Sequence, residues 1–178
     1  NASGAGLRGS GATAAEVVIN SSVTGSQALS LLNGTEAEKF TLNSVTSSSS
    51  SGGLNVANGI VDRVVVHATG DFANACTGVQ ARFINVLCHA TGEFGSAFRS
   101  FSTSSFSLDF GNSTLVPGPF GYGFGTTAIG AAAESNIEMF STIIVEGSGH
   151  PLMLGTQAGA PEPVFTAEYS NYPGTQRV

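Results

Sequence analysis

The sequence predicts an all-β protein: an antiparallel sandwich or barrel of jelly-roll or immunoglobulin-like type, with about eight or nine short strands. Short apolar or alternating segments recur along the chain. Glycine, proline and serine, which favour turns, separate these segments. Helical periodicity is nearly absent, since only residues 34–39 offer a capped turn, with Thr35 as the cap. We therefore expect a β domain with little helix.

The predicted strands follow one another along the whole chain. Each is a run of β-branched, aromatic or alternating residues bounded by turn formers. In order, they cover residues 17–19, 28–32, 40–45, 60–68, 79–89, 98–110, 137–146 and 163–169.

The long strand at 79–89 is the most informative, because apolar residues occupy both of its faces and predict a central strand. Phe106, Leu108 and Phe110 alternate with polar residues, which is typical of an antiparallel strand with one buried face. The predicted core contains Phe83, Val86, Phe106, Leu108, Ile143 and Val145.

Residues 1–15 form a predicted extended arm of glycine, alanine and serine, and residues 16–178 form a single β domain. Ordering such an arm costs about 1–2 kcal/mol per residue in backbone entropy. The arm has few large side chains to bury in return. We expect the segment with Val17, Val18 and Ile19 to compensate by pairing with a sheet edge in a neighbouring copy.

Composition excludes several classes of function. Charged residues make up 10% of the 178 residues, and the net charge is −6. A single lysine and the acidic balance argue against nucleic acid and anionic membranes as partners. No apolar run reaches the roughly 18 residues of a transmembrane helix, so we predict no membrane span.

The cysteines and the glycosylation sequons favour an extracellular or cell-surface protein. Cys76 and Cys88, the only cysteines, lie 12 residues apart and either form a disulfide or remain buried thiols. We predict the disulfide, because the composition is typical of secreted proteins. Possible glycosylation sites, which would make the chain a glycoprotein, are Asn1, Asn20, Asn33 and Asn112.

One internal echo stands out: residues 67–72 match residues 89–94 at an offset of 22. Either both copies form the same strand-end turn, or the turn is duplicated for function. A single echo does not predict a solenoid, which needs at least three copies. A metal enzyme or hydrolase using His67 and His89 with Asp71 and Glu93 is an alternative, although nothing shows that these residues are neighbours.

Catalytic motifs are absent: the chain has no nucleophile elbow and no phosphate-binding loop, and its carboxylates follow no fixed spacing. We predict neither an enzyme nor a cofactor. An aromatic platform for sugars or apolar ligands is a second interpretation. Its candidate residues are Phe94, Phe98, Phe101, Phe120, Tyr122, Phe124, Tyr169 and Tyr172.

The predicted function is that of a non-catalytic structural subunit of an extracellular fibre, pilus-like appendage or coat. Small neutral side chains allow subunits to approach closely, and few charges need desolvation when the surfaces are buried. The expected partners are further copies of the chain, and glycans are the other partners considered. The alternatives are a secreted ligand- or carbohydrate-binding module, and the hydrolase or metal enzyme described above.

Overall fold

The computed structural model describes residues 2–3, 6–23, 26–46, 52–130, 133–156, 159–172 and 176–177. In chain order its strands are β1 (Ala2–Ser3), β2 (Gly6–Arg8), β3 (Val18–Val23), β4 (Gln27–Leu32), β5 (Glu36–Thr46), β6 (Gly52–Thr69), β7 (Asn74–Ile84), β8 (Leu87–Ala90), β9 (Ser96–Ser102), β10 (Phe106–Gly111), β11 (Thr114–Val116), β12 (Phe124–Ala128), β13 (Ser135–Phe140), β14 (Ile143–Ile144), β15 (Leu152–Thr156), β16 (Val164–Glu168) and β17 (Gln176–Arg177). One short 3₁₀ turn, Ala14–Glu16, precedes β3.

The described strands pair in parallel, each with a strand about one turn further along the chain. Cys76 pairs with Phe98, 22 residues later, and Gly6 pairs with Glu36, 30 residues later. A chain that repeatedly stacks parallel strands on its own previous turn is a β-solenoid, here of about six turns. We call each turn of the chain a rung.

Three flat faces form the walls of the solenoid. Face 1 contains β1, β4, the first parts of β6 and β7, β9, β12, β15 and β17. Face 2 contains β2, the start of β5, the middle of β6, the end of β7, β10, β13 and β16. Face 3 contains β3, the remainder of β5 and β6, β8, β11 and β14.

The predicted antiparallel sandwich or barrel with its extended arm is therefore wrong, although the all-β prediction is correct. The echo at 67–72 and 89–94 is in fact one repeat of the solenoid, since His67 is paired with His89. The predicted turn at 34–39 is also wrong, because Glu36–Thr46 is a strand. Rung length varies along the chain, and this variation hides the repeat from the sequence.

A single residue in the left-handed region makes the corner between face 2 and face 3. In successive rungs these corner residues are Lys39, Arg63, Asn85, Asn112, Ser141 and Tyr169, with φ between 48° and 62° together with the corners of face 1. Two corners are asparagines, which tolerate this conformation best after glycine. The backbone N–H of Asn85 donates to Gly111 O of the next rung at 2.8 Å, so hydrogen bonding continues around the bend.

The interior is a column of apolar side chains with four phenylalanines at its centre. Phe83 stacks on Phe110 with ring centroids 4.9 Å apart, and Phe98 stacks on Phe124 at 5.1 Å. The two stacks meet edge to face, as Phe98 and Phe110 show at 5.1 Å. Each fully buried phenylalanine contributes about 1.5–3 kcal/mol of hydrophobic stabilisation.

Four of the six predicted core residues are buried, namely Phe83, Val86, Phe106 and Leu108. The prediction is wrong for Ile143 and Val145, which are exposed, while Ile144 between them is buried. The corner at Ser141 reverses the alternation of inward and outward side chains, and the sequence-based assignment carried that alternation through it.

The N-terminal segment has backbone partners within its own chain. Part of the predicted arm forms β2, and Gly6–Arg8 pairs with Glu36–Glu38. Val18 and Ile19 lie in β3, which pairs with residues 41–46, and Val17 O accepts a hydrogen bond from Thr41 N. Pairing with a neighbouring copy remains a prediction, but the argument that this segment needs one no longer holds.

Cys76 on face 1 and Cys88 on face 3 form a disulfide across the interior of one rung, with their Cα atoms 5.8 Å apart. The disulfide predicted from the sequence is thus present in the structure. It fixes the width of the rung near the middle of the chain. No helix within the described residues is long and apolar enough to cross a membrane.

Candidate functional site

A groove on the outer surface of face 1 carries the candidate site. Outward-pointing side chains of successive rungs line up because the strands are in register, which brings Asn55 beside Thr77. The next rung adds Arg99 in the same row and Phe101 two residues further along its strand. The groove has a volume of about 410 Å³, within the range of small-molecule sites. It is lined by Gln27, Asn55, Ala57, Asn74, Thr77, Gly78, Val79, Arg99, Ser100 and Phe101.

Arg99 is held in place by aromatic rings. Its guanidinium carbon lies 4.7 Å from the ring centroid of Phe101 and 5.2 Å from that of Tyr122. Both distances are within cation–π range. Tyr122 in turn stacks on His150, with ring centroids 5.7 Å apart. This series of contacts restricts the motion of a long side chain before any ligand arrives, which lowers the entropy cost of binding.

Arg99 also differs from the other arginines in its electrostatic environment. Arg8, Arg63 and Arg82 each contact a carboxylate, at 2.6, 2.7 and 3.3 Å respectively. Among the arginines whose side chains are described, Arg99 is the one with no carboxylate within ion-pair distance. Its charge therefore acts on the groove without an internal counter-ion.

Two polar atoms in the walls of the groove are buried without a hydrogen-bond partner: Arg99 Nε and Gln27 Oε1. A buried polar group without a partner costs about 1–3 kcal/mol, and more when the group is charged. Only four such side-chain atoms occur among the described residues, and two of them belong to this groove. The site therefore carries a stability cost, as ligand-binding sites commonly do.

Further polar groups lie on the floor. Thr77 Oγ1 donates to Asn55 Oδ1 at 2.9 Å, and this bond orients the Asn55 amide. The two N–H groups of that amide are not used in the bond and lie in the row that leads to Arg99. The groove thus combines amide, hydroxyl and guanidinium groups with the exposed ring of Phe101.

A second groove, on face 2, has a volume of about 430 Å³ and contains the carboxylates Asp109, Glu138 and Glu168. Asp109 and Glu138 are paired on adjacent rungs, so a pair of carboxylates is available there. However, Arg82 lies 3.3 Å from Asp109, and both side chains are well exposed to solvent. This groove contains no buried polar atom without a partner, and we regard the face 1 groove as the stronger candidate.

The structure brings His67 and His89 together on face 3, with their Nδ1 atoms 3.2 Å apart. Burial, and secondarily the nearby charge of His67, lower the pKa of His89. Asp71 and Glu93 lie in the turns that follow, where Asp71 O accepts a hydrogen bond from Phe94 N. Among the described residues, no group of three or more histidine, cysteine or acidic side chains is arranged to hold a metal.

The predicted aromatic platform is divided among several places. Phe98 and Phe124 are in the core, whereas Phe101 and Tyr122 belong to the face 1 site. Phe94 lies between Phe72 and Phe120 in an exposed stack at the turn after face 3, with centroid distances of 5.1 and 5.8 Å. Tyr169 contacts Phe140, and Tyr172 contacts Phe165.

The predicted glycosylation sites occupy different positions. Asn20 is exposed on face 3, where Asn43 Nδ2 donates to its side chain at 2.9 Å. Asn33 and Asn112 are exposed corner residues with positive φ. Asn1 lies outside the described residues.

Sequence analysis placed Phe101 and Tyr122 among candidate binding residues but did not single out Arg99. The available signal was the pattern Arg99-Ser100-Phe101, which puts a cation and a ring on the same side of a strand. Whether an arginine has a carboxylate partner depends on the register of neighbouring rungs, which the sequence does not show.

Comparison with protein-family models, curated proteins and solved structures found no match. The class of the molecule is thus defined by its fold, a disulfide-bonded parallel β-solenoid with a polar and aromatic groove on one face.

Proposed function

We propose that this β-solenoid is an extracellular carbohydrate-binding module that holds an extended oligosaccharide in the face 1 groove. The observation that carries the proposal is the position of Arg99, held by two aromatic rings with no carboxylate partner among the described residues. A disulfide is typical of oxidising compartments, which supports the extracellular location.

The groups in the groove suit a sugar better than an apolar ligand. Sugars present hydroxyl groups around a ring whose faces carry C–H groups. Asn55, Thr77 and Arg99 offer hydrogen-bonding groups on successive rungs, which are spaced about 4.8 Å apart. Phe101 is 51% exposed and offers apolar surface beside these groups. A linear ligand lying along the solenoid axis would meet all of them.

Calorimetric titration of the purified chain with neutral hexose, pentose and hexuronate oligomers tests the proposal. We expect measurable binding of at least one class, and a loss of about fivefold or more in affinity for Phe101→Ala. Phe140→Ala is a matched control, because Phe140 is 50% exposed but lies on face 2. The proposal is wrong if no class binds, or if both substitutions change the affinity equally.

Self-assembly is the second candidate function, and the exposed stack of Phe72, Phe94 and Phe120 favours it. Contiguous exposed apolar surface often marks a protein interface. If this stack joins copies of the chain, Phe94→Ser should shift sedimentation from an assembly to a monomer. A wild-type chain that sediments as a monomer at high concentration would contradict this candidate and leave the carbohydrate proposal intact.

A further inference from the structure

We infer that the oligosaccharide bound in the face 1 groove is acidic, and that Arg99 receives its anionic substituent, a carboxylate or a sulfate. This inference rests on the proposed function and specifies its ligand. Two independent observations support it: the distribution of charge among the faces, and the environment of the guanidinium.

Acidic residues are segregated away from face 1. Its strands contain no aspartate or glutamate, although the chain has 12 acidic residues. The strands of face 2 hold six of them: Glu36, Glu38, Asp62, Asp109, Glu138 and Glu168. An anion approaching face 1 therefore avoids the repulsion that a net charge of −6 would otherwise impose.

The terminal nitrogens of Arg99 are suited to contact such an anion. Its Nε is buried without a partner, whereas the two Nη groups are not among the buried atoms that lack one. They also form no ion pair with any described carboxylate. A guanidinium binds a carboxylate or sulfate through two parallel N–H···O bonds, which are stronger than bonds to neutral hydroxyls. An anionic sugar would thus provide the counter-ion that Arg99 lacks.

The cation–π contacts alone explain Arg99 less well. They are worth about 0.5–1 kcal/mol at exposed sites and would hold the side chain without any ligand. They give no reason for the exclusion of acidic residues from a whole face, because one carboxylate beside Arg99 would leave both rings in place. A structural role accounts for the position of the side chain, whereas an anionic ligand accounts for the position and for the charge pattern.

The test compares three probes of equal length: a hexuronate oligomer, a sulfated neutral oligomer and the unmodified neutral oligomer. Calorimetry at low and high sodium chloride would give each affinity for the wild-type chain. We expect at least one anionic probe to bind about tenfold more tightly than the neutral one, and salt to weaken only the anionic probe. Which anionic probe binds identifies the substituent.

Variants of Arg99 then locate the effect. Arg99→Gln should remove the preference for the anionic probe and leave the weaker neutral binding unchanged. Arg99→Lys, which keeps the charge but loses the two-pronged geometry, should be intermediate. Arg82→Gln removes an arginine on face 2 and should change nothing. Thermal unfolding of each variant checks that it is folded, and the salt dependence of the wild type provides a test that needs no variant.

The outcomes separate the two proposals. Equal, salt-independent binding of neutral and anionic probes would overturn the inference about acidity and keep carbohydrate binding. Loss of anion preference in Arg82→Gln but not in Arg99→Gln would overturn the assignment to this groove. Failure of all three probes to bind would overturn the proposed function itself.

Discussion

His67 Nδ1 lies 3.2 Å from His89 Nδ1 on the adjacent rung of face 3. A contact this short between two ring nitrogens requires one to donate a proton and the other to accept it. At least one of the two rings must then be neutral. Burial, with a smaller effect from the charge of His67, lowers the pKa of His89, which makes His89 the natural acceptor.

Stability should consequently fall as the solution is acidified. Because the pKa of His89 is lower in the folded chain than in the unfolded chain, the unfolded chain binds more protons between those two values. The contribution of His89 is fully present above its ordinary pKa of about 6.5 and is lost as pH falls toward the folded value. Denaturant titrations between pH 8 and pH 5 should show this decline in the free energy of unfolding.

Substitutions identify its source. His89→Asn should flatten the decline in stability between pH 7 and pH 5.5, while His150→Asn, on another part of the surface, should preserve it. An unchanged decline in His89→Asn would assign the pH dependence to other groups.

The consecutive isoleucines at 143 and 144 test the position of the corner. Ile144 is 3% exposed and Ile143 is 47% exposed. Ile144→Ala should lower the free energy of unfolding by about 2–5 kcal/mol, because it leaves a cavity in the core. Ile143→Ala should cost less than about 1 kcal/mol. Urea denaturation of both variants measures the difference, and equal losses would show that the strand is misplaced.

The hydroxyl group of Ser113 should support the preceding corner at Asn112. Ser113 Oγ accepts a hydrogen bond from Val86 N at 3.2 Å and lies 3.2 Å from Phe83 O and 3.0 Å from Gly111 O. Ser113→Ala leaves these buried backbone groups without a side-chain partner and should cost about 1–3 kcal/mol.

Ser107→Ala, on the outer side of β10, is the matched control for Ser113→Ala and should be nearly neutral. Denaturant titration compares the two. If Ser113→Ala is also nearly neutral, water replaces the hydroxyl at no cost, and the proposed support of the corner is wrong.

Reduction of the disulfide should destabilise the chain without changing its fold. Cys76 and Cys88 are separated by 12 residues, and closing a loop of this size is worth about 3 kcal/mol in the chain-entropy model. We expect a lower melting temperature in a reducing agent, and the same reduction for a double substitution to alanine. A melting temperature insensitive to reduction would show that the rung holds its width by packing alone.

The sequence predicted the kind of secondary structure but not its arrangement, and the corners explain why. Residues 79–89 look like one strand with two apolar faces. In the structure the chain bends at Asn85, so Phe83 before the bend and Val86 after it both point inward. What suggested a central strand is two strands of adjacent faces. The sequence does not show where a non-glycine residue adopts the left-handed conformation, because tertiary contacts over-determine it.

The face 1 site was predictable only in part. Phe101 and Tyr122 were candidates because exposed aromatic rings are common in binding sites. Arg99 became a candidate only when the register showed which side chains surround it. The 22-residue echo held the necessary register information for one pair of rungs, His67 with His89, but the other rungs carry no comparable similarity.

The equal spacing of two neighbouring rungs turns the solenoid into a ruler for its ligand. Asn74 occupies the position on β7 that Ser96 occupies on β9, 22 residues later. Excision of residues 74–95 would therefore join equivalent points of the chain, remove both cysteines together and leave no single thiol. Asn55 would then lie directly beside Arg99, and the groove would be shorter by one step of about 4.8 Å. A family of such shortened or duplicated chains would measure how many sugar units the protein recognises.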